Sequence, residues 1–236
     1  MKGVGPKKQD KKQGSTSKTF SVPFALEKSK ENITSSSNDS SKLSKEEIIH
    51  QAFKFHSQGN IQEAAKYYQS YIDQGFNDHR VFSNYGIILK DLGRLKEAEL
   101  SLRKAIKVNP DSPDYHSNLG GILRDLGKLK EAELSYRKAI EFNPNFAAAH
   151  SNLGNILKDL GKLEDAELLY RKAIKIKPDY AEAHSNLGII LTDLGKLKEA
   201  ELSYRKAIEI KPDYAEAHSN LGNILRDLGN LQELIL

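Results

Sequence analysis

Histidine, serine and aspartate are the residue types of hydrolytic triads, and they recur at a fixed spacing through most of this chain. The phrase His-Ser-Asn-Leu-Gly occurs at 116–120, 150–154, 184–188 and 218–222, and a weaker copy, Phe-Ser-Asn-Tyr-Gly, occupies 82–86. Every copy carries nearly the same residues, so none stands out as a unique catalytic site. The sequence therefore predicts a protein that is not an enzyme and has no catalytic residues.

The four histidines of this phrase could also suggest a metal site. A zinc ion needs its ligand nitrogens at about 2.0–2.1 Å. Equivalent positions on successive packed helices lie roughly 10 Å or more apart, because helices pack at about 8–10 Å. The sequence therefore predicts no metal site and no cofactor, and it predicts half-buried packing for the four histidines. They are His116, His150, His184 and His218.

The phrase belongs to a repeat of 34 residues, and a period of that length predicts a solenoid of stacked units. In the unit 181–214, an apolar stripe that includes Leu191 predicts a first helix, which Gly195 ends. A second stripe that includes Tyr204 predicts a second helix, which Pro212 ends.

Two details follow from this pattern. Asp213 precedes Glu216 by three residues, so we expect a capping-box-like start for the next helix. Small residues recur where the two helix axes must approach closely, and a valine at Gly120 or Gly154 is expected to overpack the helix pair by about 1–3 kcal/mol.

The chain divides into a tail, a divergent first unit, four full units and a fragment. The boundaries are 1–44 for the tail, 45–78 for the first unit, 79–112, 113–146, 147–180 and 181–214 for the full units, and 215–236 for the fragment. The fragment ends six residues into its expected second helix, Leu231–Leu236. Solenoids normally end in a polar cap, so we expect either a longer protein or association of another molecule with the uncapped end.

Composition restricts the compartment and the partners. The tail is rich in lysine and serine and has little apolar surface, so it is predicted to be disordered. Residues 1–45 carry ten lysines and four carboxylates, which gives this segment a net charge of +6. The whole chain has a net charge of +4, so residues 46–236 together carry −2. Nucleic acid is therefore not the expected partner. The sequence has no cysteine and no apolar run long enough for a membrane span. No secretory signal is expected, and a cytoplasmic location is expected.

The recurring residues resemble those of a known family. The pattern resembles the tetratricopeptide repeat strongly over 79–236 and weakly over 45–78. In the unit 181–214 the matching residues are Leu187, Gly188, Leu191, Gly195, Ala200, Tyr204, Ala207 and Pro212. The resemblance implies an all-α, right-handed superhelical solenoid of helix-turn-helix units. The segment from Gln51 to Gly86 resembles bacterial members of the family, and the His-Ser-Asn-Leu-Gly phrase is similar to the array of O-linked N-acetylglucosamine transferases.

In the resembled family the first helix of each unit lines a concave groove, which implies a binding surface here. An asparagine row would hold peptide backbone, as the asparagine ladder of those transferases does, and a cationic row would select acidic side chains. The asparagines are Asn84, Asn118, Asn152, Asn186 and Asn220, and the cations are Lys90, Arg124, Lys158 and Arg226. Serine and aspartate rows run beside them. They are Ser83, Ser117, Ser151, Ser185 and Ser219, and Asp91, Asp125, Asp159, Asp193 and Asp227.

Two functions remain open. The first is a non-catalytic scaffold that binds an extended peptide or protein segment of unknown identity in the groove. The second is a substrate-recruiting segment of, or partner to, a glycosyltransferase-like enzyme. Asparagine is common at this place in the family, and any solvated face needs polar residues, so a purely structural role for the row also stays open.

Overall fold

A computed structural model describes residues 43–233, which form eleven α-helices and no strand. None of these helices has the length and apolar composition needed to cross a bilayer. The helices are α1 (Lys45–Ser57), α2 (Ile61–Asp73), α3 (His79–Asp91), α4 (Leu95–Val108), α5 (Pro113–Asp125), α6 (Leu129–Phe142), α7 (Ala147–Asp159), α8 (Leu163–Ile176), α9 (Ala181–Asp193), α10 (Leu197–Ile210) and α11 (Ala215–Glu233).

Successive helices pack in pairs, α1 with α2 through α9 with α10, and each pair also packs against the next. The pairs coincide with the predicted units, so the predicted all-α solenoid of helical hairpins is confirmed. The predicted helix ends are also confirmed. Gly195 has φ of 73°, and the Lys196 amide donates to the Leu191 carbonyl at 2.8 Å, which closes α9. Helix α10 ends at Ile210, two residues before Pro212.

A tyrosine ring fills the centre of most hairpins. A Cβ atom built on Gly154 would lie 2.9 Å from the buried Tyr170 ring, and one built on Gly188 would lie 2.6 Å from Tyr204. These distances are shorter than a carbon–carbon contact allows. The close helix approach predicted at these glycines is therefore present, and the glycine is required by the ring that covers it.

Ion pairs connect the second helix of three successive units, 79–112, 113–146 and 147–180, to the unit that follows each of them. Glu167 accepts from Arg171 on its own helix and from Lys196 of the following unit, both at 2.8 Å. The hydrogen bond from Lys196, opposed by partial burial and reinforced by Arg171, holds the pKa of Glu167 below its ordinary value. The same inter-unit pair recurs as Glu99 with Lys128 and Glu133 with Lys162.

The junction between the first two units lacks this ion pair. Ala65 stands at the register of Glu167, and Gln69 stands at the register of Arg171. Arg94, at the register of Lys196, instead bonds Glu97 of its own unit at 2.6 Å. An open cleft of about 900 Å³ lies here, lined by residues of α2 and by Tyr85 and Arg94.

Two sequence expectations are wrong. Helix α11 runs through Gly229 to Glu233, whereas a second helix was expected from Leu231. In the other units the glycine turn is held by a following helix that packs back, and residues 230–233 extend α11 instead. The expected cap at Asp213 is also wrong, because α11 begins at Ala215 and Tyr214 is the residue that precedes it. The equivalent helix α9 begins in the same way: Tyr180, not Asp179, is its N-cap residue, and no described side chain caps that helix end.

Candidate functional site

The first helices of the units lie on one side of the solenoid, where they pack against each other. Contacts join α3 to α5, α5 to α7, α7 to α9 and α9 to α11, while among the described residues the second helices of adjacent units have no comparable packing. The first helices therefore lie on the shorter, inner side of the array. We call the surface formed by α3, α5, α7, α9 and α11 the inner groove.

The asparagine row crosses the inner groove, but its members differ in exposure. Asn118, Asn152, Asn186 and Asn220 are partly exposed. Asn84 is only 1% exposed, and its Nδ2 is enclosed without a hydrogen bond. Asn84 therefore does not present its amide to a ligand in this structure. The expectation that it lines the groove was wrong, because the burial depends on the divergent first unit that precedes it.

The cationic row lies beside the asparagines and is partly compensated. Asp125 accepts from Lys90 of the preceding unit at 3.5 Å and from Arg124 at 3.4 Å. Arg226 lies 3.9 Å from Asp227, and both are well exposed. Lys158 is partly exposed and makes no ion pair within the described chain. Within the described part of the chain, the row thus offers one uncompensated cation, Lys158, near the middle of the groove.

The serine row does not face the groove as a continuous line. Ser83, Ser117, Ser151 and Ser185 are buried between the first helices and the rest of the array. The Ser185 hydroxyl is enclosed without a hydrogen bond. Only Ser219, on the last helix, is exposed. Serine is therefore a small residue that permits close helix packing here, and the expected polar row is wrong for the four buried members.

A further row, missed from the sequence, lies three residues after the asparagines. Its members are Ile87, Gly121, Asn155, Ile189 and Asn223. Asn155 Oδ1 accepts a hydrogen bond from Tyr170 Oη at 2.7 Å and another from Asn186 Nδ2 of the next unit at 3.4 Å. The 34-residue register could have located this row, but the partners of Asn155 come from other helices.

The buried tyrosines remain hydrogen-bond donors at neutral pH. Burial, partly offset by Arg124, raises the pKa of Tyr136 to about 12. Burial likewise raises the pKa of Tyr170. A phenol with a raised pKa keeps its proton at pH 7, so each hydroxyl can donate to an oxygen acceptor at the floor of the groove.

The recurring histidines join the units. Nε2 of His150 donates to the carbonyl of Pro144 at 2.9 Å, and Nε2 of His184 donates to that of Pro178 at 3.0 Å. His116 and His218 make the same bond to the proline six residues earlier. Each bond ties a first helix to the end of the preceding unit. Among residues 43–233, no group of three or more His, Asp or Glu side chains is placed to hold a metal ion.

Comparison with known proteins gives a family and several structural neighbours. A family model described as TPR repeat matches 86–122, 120–161, 154–195 and 190–229. No curated protein matches the chain. A solved structure of MamA is similar, with 23% identity, a TM-score of 0.65, and coverage of 73% of this chain and 94% of that one.

Two other solved structures have the same fold. YrrB, described as "a TPR protein with an unusual peptide-binding site", has 24% identity and a TM-score of 0.62, covering 73% of this chain and 89% of its own. A protein from Thermus thermophilus, described as a thermophilic TPR protein, has 19% identity and a TM-score of 0.60, covering 77% of this chain and 99% of its own. Identities this low show the fold alone. The family match spans more than half of the chain, which therefore belongs to the tetratricopeptide repeat family.

Proposed function

We propose that this chain is a non-catalytic scaffold that binds an extended peptide or protein segment in the inner groove. The main support for the proposal is that Asn118 and Asn152 have accessible side chains without hydrogen-bond partners in the described chain. Both side chains are partly exposed on the inner groove, and neither makes a hydrogen bond within the described chain. Polar groups that the fold leaves unbonded on a concave surface are available to a ligand.

The chemistry of the row suits a peptide backbone. An asparagine side chain offers an amide donor and a carbonyl acceptor, as does each peptide group of a ligand. Successive first helices pack at about 8–10 Å, which is close to three residues of extended chain at about 3.3 Å each. One asparagine for every three ligand residues would hold the backbone in register without reading each side chain.

Charge would provide part of the selectivity. Lys158 has no ion-pair partner among the described residues, and Arg124 shares Asp125 with Lys90. We therefore propose that a ligand carries an acidic side chain opposite Lys158. The peptide-binding site stated for YrrB supports a peptide ligand only by likeness of fold. A cytoplasmic location is also proposed, on the absence of cysteine.

The test replaces Asn118, Asn152 and Asn186 together with alanine. The control replaces Lys138, Lys172 and Lys206, exposed residues of the second helices in the same units, with alanine. Peptides selected by the wild-type chain from a random display library are labelled, and their Kd is measured by fluorescence anisotropy. We expect the asparagine variant to bind at least about tenfold more weakly, as two or three lost hydrogen bonds would produce.

The control should bind as the wild type does, and all three proteins should melt within a few degrees of one another. If peptides bind the asparagine variant unchanged while its melting temperature collapses, the asparagines are structural and the proposal is wrong. Retention of random-sequence RNA at moderate salt would instead favour a nucleic-acid ligand.

The asparagine row also supports the second function, a substrate-recruiting segment of, or partner to, a glycosyltransferase-like enzyme. Its ladder is the feature that resembles the arrays of O-linked N-acetylglucosamine transferases. DNA that encodes a transferase-like domain directly after the codon for Leu236 would favour this alternative. Peptide binding by the chain alone is expected under both functions.

A further inference from the structure

Gly121 lies on the inner groove at a position where the next unit has a hydrogen-bonding side chain. Asn155 occupies the same register 34 residues later, and its Oδ1 accepts from Tyr170 Oη and Asn186 Nδ2. Tyr136 and Asn152 stand at the registers of these two donors. Gly121 has no side chain to supply the acceptor, so this position in the groove is a notch.

The floor of the notch has the same geometry as its filled counterpart. A Cβ atom on Gly120 would lie 2.9 Å from the Tyr136 ring, and one on Gly154 would lie 2.9 Å from the Tyr170 ring. A Cβ atom on Gly121 would lie 3.5 Å from Tyr136 Oη, an ordinary contact distance. The phenol therefore points at the space that an asparagine side chain would fill.

The Tyr136 hydroxyl is available to a ligand. The residue is 1% exposed, yet its Oη makes no hydrogen bond within the described chain. This oxygen is not fully enclosed by the protein. In that respect it differs from the enclosed polar atoms without a hydrogen bond, which are Tyr71 Oη, Asn84 Nδ2, His150 Nδ1 and Ser185 Oγ. The hydroxyl thus opens onto the groove through the notch, and its raised pKa keeps it a donor.

The two donors suit a neutral acceptor. Lys90 and Arg124 share the Asp125 carboxylate, at 3.5 Å and 3.4 Å, so none of the three charged groups is committed to the Tyr136 hydroxyl. In the next unit the equivalent donors bind a carboxamide oxygen, that of Asn155, and no charged group takes part in those two hydrogen bonds. A carboxamide oxygen of a ligand needs only the same two donors.

We infer that the Gly121 notch binds the carboxamide oxygen of an asparagine or glutamine side chain of a bound peptide, in the place that Asn155 Oδ1 occupies in the next unit. The inference rests on the proposed peptide groove and adds one specific subsite to it. Tyr136 O–H and the Asn152 side-chain N–H are the two donors.

The first test uses two exchange variants of the full chain. Gly121→Asn fills the notch with the protein's own carboxamide, and Gly121→Asn/Asn155→Gly moves the notch to the next unit, beside Tyr170 and Asn186. Peptides selected by the wild type from a random library should share one Asn or Gln position. We expect Gly121→Asn to bind them about five- to tenfold more weakly, as the loss of one or two hydrogen bonds implies.

The double variant should select peptides whose Asn or Gln is displaced by about three residues, one unit of the groove. Its melting temperature separates loss of folding from loss of the subsite. If wild-type peptides carry no shared Asn or Gln, or if Gly121→Asn binds them unchanged, the inference is wrong while the groove proposal stands.

The second test needs no peptide and decides the inference if no peptide is selected. Acetamide is titrated into isotope-labelled wild type and Gly121→Asn, with sodium acetate as the charged counterpart. A shift of the Asn152 side-chain amide resonance by acetamide in the wild type alone supports the notch even if the groove proposal fails. No shift, or an equal shift by acetate, overturns it.

Discussion

The octapeptide His-Ser-Asn-Leu-Gly-Asn-Ile-Leu occurs twice, at 150–157 and at 218–225, and its two copies have different surroundings. In the first copy Leu157 is 1% exposed, and a Cβ atom on Gly154 would collide with the Tyr170 ring. In the second copy Leu225 is 42% exposed, and no described atom lies within 4 Å of such a Cβ atom on Gly222.

The comparison separates what a repeat encodes by itself from what its neighbours add. Both copies are helical, so the local sequence is sufficient for the helix. Burial differs because α8 and α9 cover the first copy, whereas the second lies on the last helix of the array. A residue's contribution to stability should therefore depend on its unit, even where the sequence is identical.

The largest expected difference concerns the leucines. Leu157→Ala removes a fully buried side chain and should lower the free energy of unfolding by about 2–5 kcal/mol. Leu225→Ala removes a side chain that is nearly half exposed, so the loss should stay below about 1 kcal/mol. Urea denaturation followed by circular dichroism measures both. Equal losses would mean that α11 is covered in solution, by another copy or by residues after 233.

Much of this contrast was predictable. The 34-residue period predicted the helical hairpins, and the terminating roles of Gly195 and Pro212 are confirmed. The exposure of Leu225 agrees with the incomplete last unit of the repeat. Association through that end stays a prediction.

The contacts between units were not predictable from one repeat. The burial of Asn84 depends on the divergent unit that precedes it, and the bonds of Asn155 depend on helices α8 and α9. The repeat period shows which residues are equivalent in successive units, but it does not show which side chains contact each other between helices. The notch at Gly121 therefore became visible only beside its filled counterpart.

The glycines should give effects of opposite sign. Gly154→Ala places a methyl group against a rigid, buried ring and should destabilise the protein by about 1–3 kcal/mol. Gly222→Ala meets no described atom, and alanine favours a helix over glycine by about 0.5–1 kcal/mol, so this variant should be more stable. Thermal melts of the two variants beside the wild type provide the measurement. If Gly222→Ala also destabilises the chain, the face of α11 that carries Gly222 is covered in solution.

The smallest expected difference concerns the asparagines that follow the two glycines. Asn155→Ala leaves Tyr170 Oη without its acceptor, so the net loss should be about 0.5–1.5 kcal/mol. Asn223 accepts only a long bond from Arg226 of its own helix at 3.4 Å, so its loss should be close to zero. The gain in helix propensity from Asn to Ala is the same in both copies and cancels in the comparison. The difference is measured by urea denaturation of both variants, and Tyr170→Phe/Asn155→Ala completes a double-mutant cycle. If Asn155→Ala costs as much in the Tyr170→Phe background as in the wild type, the tyrosine bond contributes nothing, and the carboxamide acceptor inferred for the Gly121 notch loses its structural precedent.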